Sequence, residues 1–198
     1  MDKIVCVGKN YPEHAKELGE PVPEKPVIFL KPPSVLKQSR SWSAPLEAQF
    51  PKNSGEVHYE CEIVLKLGAN RAVEAVTLGL DMTLRERQTI LKKNGHPWTT
   101  GKVFKDAAIL APWILLKEFP TYMGIEFSFA VDGVVKQKGC GNEMRMKPNE
   151  ILAYVEGFFP LCPGDVIFTG TPAGVGPIGL GQIGTISWGT RNQSVTWK

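Results

Sequence analysis

His58-Tyr59-Glu60-Cys61-Glu62-Ile63-Val64-Leu65-Lys66-Leu67-Gly68 is the stretch from which the rest of the chain is read. Its β-branched and apolar residues, closed by a glycine, predict a strand in which alternate side chains share a face. His58, Glu60 and Glu62 then point one way, Cys61 and Ile63 the other. Two neighbouring carboxylates on an otherwise apolar strand repel each other and resist losing water, so something positive belongs between them. A divalent cation would serve, and oxygen-only ligands favour Mg²⁺, Mn²⁺ or Ca²⁺ over softer metals. A half-exposed edge strand with two solvated glutamates is the commoner reason for a bare Glu-x-Glu. A third ligand is needed to separate the two readings.

Asp81 offers one. Thr83-x-x-Glu86 has the form of a capping box and predicts a helix running to about Asn94 and stopping at Gly95. Asp81 would sit just before that helix, at its electropositive end. Arg85 and Gln88 share a helix face one turn further in. Nearer the N-terminus, Asn10 as N-cap, Pro12 in the first turn and Gly19 at the exit predict a short helix. Its His14 and Glu17 are three apart, so the carboxylate can orient the imidazole and raise its basicity, although such pairs are usually surface decoration.

The remaining segments read mainly as short strands. Lys3–Gly8 is a buried strand, Val27–Lys31 another between prolines, and Lys31 either faces a site or reaches solvent. Residues 37–56 are polar and aperiodic and predict an ordered loop anchored by Trp42 and Phe50. Residues 71–80 are ambiguous between helix and strand, and Lys102 falls near the start of a strand through Val103 and Phe104. Ile125–Val131 alternates strictly and turns at Asp132-Gly133, the strongest hairpin signal in the chain. Pro148–Glu156 is an amphipathic helix, Val166–Gly170 a strand, and the tail a last hairpin. Between them Thr169-Gly170-Thr171-Pro172-Ala173-Gly174-Val175-Gly176 can expose several backbone N–H groups to an anion. It is not a P-loop, because the terminal Lys-Ser/Thr pair is missing.

Composition narrows the class. The 198 residues, 42% hydrophobic, predict one domain with a real core, and the 20 glycines and 16 prolines predict a β-rich fold with many turns. The net charge of +3 is mild and the charges are interspersed, which argues against nucleic acid. No apolar run approaches a membrane span, and Met1-Asp2-Lys3-Ile4 lacks the layout of a signal peptide, so the expected location is cytoplasmic. Cys6, Cys61, Cys140 and Cys162 are scattered without a C-x-x-C pair and indicate neither zinc nor a disulfide framework.

Taken in order, these words resemble the fumarylacetoacetate hydrolase family, especially its small acylpyruvate hydrolase and oxaloacetate decarboxylase members. The likeness spans nearly the whole chain: Val-Gly-Lys-Asn-Tyr with His14 and Glu17, Phe29-Leu30-Lys31-Pro32, His58 to Glu62, Leu80-Asp81-Met-Thr-Leu-Arg85, Gly95-x-Pro97-Trp98, Lys102-x-Phe104, and Thr169 to Gly176. The resemblance implies an α/β, β-rich roll of mixed, strongly twisted strands with a few short helices, residues 1–198 forming one catalytic domain. It places the metal carboxylates on Glu60, Glu62 and Asp81, and the active-site lysine on Lys102. Substrate contacts fall on Arg85, Gln88 and Thr171, and a His14–Glu17 dyad on a lid helix at about 9–19. It further implies Mg²⁺ or Mn²⁺, a small 2-oxo acid substrate and a homodimer.

The expected reaction is metal-dependent cleavage of a carbon–carbon bond in an acylpyruvate or fumarylpyruvate, through a metal-stabilised enolate. Decarboxylation of oxaloacetate, or isomerisation and tautomerisation of a 2-oxo acid, would use the same site. The alternative of another class is a metal-stabilised binding protein without chemistry. Two departures stand out. Residues 69–80 are shorter than the family's usual segment, and Lys9 stands where many relatives have Arg.

Overall fold

The apolar run after Glu60 is a strand at the middle of the largest sheet. The computed structural model describes residues 1–17 and 25–198. The chain opens with β1 (Ile4–Gly8), α1 (Pro12–Glu17), β2 (Val27–Lys31), β3 (Leu36–Gln38), β4 (Leu46–Ala48) and β5 (Val57–Tyr59). It continues through β6 (Cys61–Leu67), β7 (Val73–Asp81), β8 (Thr83–Leu84), α2 (Arg85–Lys93), α3 (Thr99–Lys102), β9 (Ala108–Leu110) and β10 (Ile114–Leu115). Last come β11 (Phe127–Val131), β12 (Val134–Gly139), α4 (Pro148–Glu156), β13 (Val166–Phe168), β14 (Gly176–Ile178), β15 (Ile183–Trp188) and β16 (Arg191–Trp197).

The large sheet runs β2-β1-β13-β6-β7-β9-β3, with β10 added beside β7. A second sheet runs β12-β11-β15-β16-β4, and a third β14-β5-β8. Parallel pairs (β1 with β13, β3 with β9, β4 with β16) stand among antiparallel ones, so the fold is the expected β-rich α/β roll of mixed strands. Strand β6 is covered on both faces, which is why its sequence is an apolar run rather than an alternation. The core joins this sheet to the second one, where Trp188 and Trp197 are fully buried.

Several local expectations hold. The 132–133 turn takes φ of 49° and 80° at its two central residues, as a tight hairpin of right-handed strands requires. Helix α4 has the predicted bounds, and Gly95 follows α2 in a left-handed conformation, at φ 67°. The ambiguous 71–80 segment is strand β7, and the short link before it closes as a turn in which the Gly68 N–H donates to Ala72 O.

Others are corrected. Helix α2 starts at Arg85 with no side-chain cap, because Thr83 is already in β8 and its hydroxyl donates to Asp81 O. Asp81 therefore ends a strand instead of preceding a helix directly. Lys102 closes the one-turn helix α3 and does not begin a strand. The loop at 37–56 contains the end of β3 and all of β4, both sheet members. Asn10 does not spend its side chain on a cap: it donates to Met146 O and Thr169 O and accepts the Met146 N–H, tying the start of α1 to the body. The end expected for that helix, at Leu18 and Gly19, lies outside the described residues.

Candidate active site

Glu60 falls in the one-residue break between β5 and β6, where two sheets part. Asp81 closes β7, and its backbone N–H donates to Glu60 O at 2.9 Å, which pins the two residues side by side. Glu62 lies two residues along β6 on the same face, paired with Gly79. One carboxylate oxygen from each of Glu60, Glu62 and Asp81 lies within 4.8 Å of the other two, and all three residues are buried. The solvated edge strand is thereby excluded.

Positive charge around this cluster is shared unevenly. Lys102 Nζ donates to Glu60 Oε2 at 2.7 Å and to Asp81 Oδ2 at 2.8 Å. Arg85 Nη2 donates to Glu60 Oε1 at 2.5 Å, and Lys31 Nζ lies 2.6 Å from Asp81 Oδ1. Among the described residues no lysine or arginine pairs with Glu62, whose Oε2 accepts the Gly170 N–H at 2.6 Å. Burial alone would raise the Glu60 pKa, but Lys102 and Arg85 hold it well below the usual carboxylate range. Glu62 goes the other way, pushed well up by burial and then by the charges of Asp81 and Glu60. For Lys102, burial opposes the charge, yet Asp81 and Glu60 outweigh it and raise the ammonium above its ordinary value. An all-oxygen set of three buried carboxylates, one lacking a cationic partner, fits a hard divalent cation.

These groups open onto a narrow cleft of about 40 Å³ that is also lined by His14, Phe29, Gln88, Trp98 and Thr171. His14 Nδ1 lies 3.1 Å from Glu17 Oε2, and since a carboxylate only accepts, Nδ1 carries the proton and Nε2 is left as a base. Arg85 is fixed on three sides: Nη1 donates to Gln88 Oε1 at 2.7 Å, Nε to His58 Nδ1 at 3.3 Å, and Nη2 to Glu60. Lys102 reaches the carboxylates because α3 packs tightly on α2. A side chain at Gly101 would stand 3.2 Å from the Gln88 backbone, so glycine permits the approach. The Lys102 ammonium also sits 4.9 Å from the centre of the Phe29 ring.

The structure thus brings His14, Glu60, Glu62, Asp81, Arg85, Gln88, Lys102 and Thr171 to one cleft, with Glu17 behind His14. The Thr171 hydroxyl is already engaged, donating to Cys61 O at 2.9 Å and accepting from Gln137 Nε2 at 2.8 Å. Gln137 was not singled out in the sequence. It is buried, accepts the Cys61 N–H at 2.9 Å and donates to Pro172 O, so it fastens the glutamate strand to the 169–176 loop. Alternation along β12 would have been the signal, but the ladder shifts register beside it, at Phe129/Ala130.

Residues 3–196 match the family model described as fumarylacetoacetate (FAA) hydrolase C-terminal. The chain belongs to the fumarylacetoacetate hydrolase family. This family member is 37% identical over 199 residues to oxaloacetate tautomerase YcgM of Escherichia coli (strain K12), covering 95% of this chain and 89% of that protein. It is 38% identical over 192 residues to the mitochondrial oxaloacetate decarboxylase of Dictyostelium discoideum, covering 91% and 86%. Its fold superposes on fumarylpyruvate hydrolase from Pseudomonas aeruginosa, solved with Mn²⁺ and pyruvate. There the TM-score is 0.91 at 31% identity, with 100% of this chain and 91% of that one covered. The fumarylacetoacetate hydrolase family is one of enzymes acting on small molecules, and a divalent metal at the buried carboxylates is in keeping with the Mn²⁺ of that relative. No helix among the described residues is long and apolar enough to cross a membrane.

Proposed function

We propose that the chain is a divalent-metal-dependent enzyme that interconverts the enol and keto forms of oxaloacetate or a closely similar small 2-oxo acid. The observation that carries this reading is the His14–Glu17 pair standing in the same cleft as Lys102 and the carboxylates. Tautomerisation needs a proton taken from one atom of the substrate and supplied to another, and charge stabilised in between. The curated relatives at 37% and 38% identity, a tautomerase and a decarboxylase of oxaloacetate, support the substrate. A cleft of about 40 Å³ favours a compact acid.

Glu60, Glu62 and Asp81 are the residues that would hold the cation, with Mg²⁺ or Mn²⁺ the expected ion. When bound, it supplies a Lewis-acidic centre for the carboxylate and 2-oxo oxygens of the substrate. Arg85 binds a substrate carboxylate, for its Nη1 and Nη2 each keep one N–H beyond those given to Gln88 and Glu60. Gln88 holds that guanidinium, and Thr171 forms part of the wall of the same cleft. His14 Nε2 moves the proton at the substrate carbon, and Glu17 stabilises the imidazolium that results. Lys102 donates to the oxygen on which negative charge develops. Helix α1 closes the cleft over a single catalytic unit.

Hydrolysis of an acylpyruvate, the expectation drawn from the sequence, is the second reading. It is favoured by the similarity to fumarylpyruvate hydrolase and would use the same His14 base to deprotonate water. Decarboxylation of oxaloacetate would draw on the same charge stabilisation, with water kept out. The test is a side-by-side assay of enol-oxaloacetate decay, CO₂ release, and acetylpyruvate and fumarylpyruvate consumption, with Mn²⁺ and with chelator. Enol decay should dominate and fall by about 10²- to 10⁴-fold in His14→Ala. Fumarylpyruvate consumption outpacing it would favour hydrolysis, and no turnover with Mn²⁺ bound would favour a binding protein.

A further inference from the structure

Lys31 ends β2, and only 1% of its surface is exposed. Its Nζ donates to Met82 O at 3.0 Å and Ala107 O at 2.5 Å, and lies 2.6 Å from Asp81 Oδ1. The cleft is lined by Lys102 but not by Lys31. The two lysines therefore contact different oxygens of Asp81: Lys31 forms an ion pair from within the core with Oδ1, which accepts no hydrogen bond among the described residues, and Lys102 donates to Oδ2 from the cleft. An apolar residue is often as stabilising as a buried ion pair, so stability alone does not account for an ammonium here. A cation at this point does what an apolar side chain cannot: besides donating to two backbone carbonyls, it engages one oxygen of Asp81.

Each of the other two carboxylates also has an oxygen engaged by the protein, and Glu60 gives its second oxygen, Oε2, to Lys102. Glu60 Oε1 is held by Arg85, and Glu62 Oε2 by the Gly170 N–H. We propose that Lys31 sets the metal selectivity of the site by making Asp81 a one-oxygen ligand. The inference rests on the reading of Glu60, Glu62 and Asp81 as metal ligands. Small octahedral cations such as Mg²⁺ accept few protein oxygens at about 2.1 Å, whereas Ca²⁺ takes roughly six to eight and welcomes a bidentate carboxylate. Releasing Oδ1 would add a ligand oxygen and shift the site towards the larger ion.

Competition between Mn²⁺ and Ca²⁺, read from the electron paramagnetic resonance signal of free Mn²⁺, tests this without any assay of turnover. Wild-type protein should prefer Mn²⁺, and the Mn²⁺-over-Ca²⁺ ratio should fall at least about tenfold in both Lys31→Met and Lys31→Gln. A ratio within about twofold of wild type, in a variant with an unaltered melting transition, overturns the role of Lys31 alone. If neither variant folds, the wild-type ratio decides: preference for Mn²⁺ supports the proposal, and equal affinity for Ca²⁺ overturns it. Failure of wild-type protein to bind Mn²⁺ at all overturns both the proposal and the ligand reading beneath it.

Discussion

Gly174 donates its backbone N–H to Glu17 Oε1 at 3.0 Å, while the other oxygen of the same carboxylate faces His14. One side chain thus joins helix α1 to the loop at 169–176, and Gly170 of that loop also holds Glu62. The loop whose N–H groups the sequence offers to an anion binds two carboxylates of the protein itself. Glu17→Gln keeps an acceptor for Gly174 but removes the charge beside His14. Turnover should fall about 10- to 100-fold while Mn²⁺ affinity is unchanged, a split that steady-state kinetics and calorimetry would detect.

His58 gives Arg85 an uncharged acceptor. Because Nδ1 accepts from Arg85 Nε at 3.3 Å, the proton sits on Nε2, which lies 3.1 Å from Glu56 Oε2. His58→Phe removes that acceptor and lets the guanidinium wander. A lost hydrogen bond of about 1 kcal/mol predicts a KM about fivefold higher with kcat nearly unchanged, measured on the substrate identified by the side-by-side assay.

What the sequence made legible followed from strong local signals. The apolar run after Glu60, the Asp132-Gly133 hairpin and helix α4 all have a period or a turn chemistry that sets them apart. Glu60 and Glu62 were likewise legible, since carboxylates on an apolar strand need compensation, whereas Asp81 is read from a helix start at Thr83 that the structure puts at Arg85. Lys102 was misplaced because α3 is a single turn of Thr-Thr-Gly-Lys, too short to carry a period. Gln137 carries no signal of burial in the sequence, Asn10 reads there as a helix cap, and Lys31 as facing either a site or solvent. Their burial comes from contacts with segments more than 50 positions away, such as Lys31 with Met82.

The shift at Glu62 sets a pH dependence of opposite sign to that of most carboxylates. Its folded pKa lies above the ordinary 4.5, so the metal-free fold favours the protonated form. This contribution is fully present below the ordinary value and is lost as pH rises towards the folded one. A bound cation displaces the proton and ends the loss. The rise in Tm on adding saturating Mn²⁺ should therefore grow as pH rises above the ordinary carboxylate value. A constant increment above that value would count against the assignment.

Asp165 behaves in the usual direction. It is fully buried and accepts the N–H groups of Asp2, Lys3 and Cys162, with Lys3 Nζ at 2.7 Å. Burial would raise its pKa, but Lys3 and the three amides lower it below the ordinary 3.8. Stability from this group is present above that value and is lost as pH falls through the folded one. Asp165→Asn should cost about 2–3 kcal/mol at neutral pH and flatten the acid limb of the Tm profile below about pH 4.

Anomalous diffraction from a crystal soaked in Mn²⁺ addresses the metal centre most directly. The account predicts one peak bonded to a single oxygen from each of Glu60, Glu62 and Asp81, at about 2.0–2.3 Å, with Lys31 still on Asp81 Oδ1. A peak elsewhere, or none among these three carboxylates at saturating Mn²⁺, would contradict it.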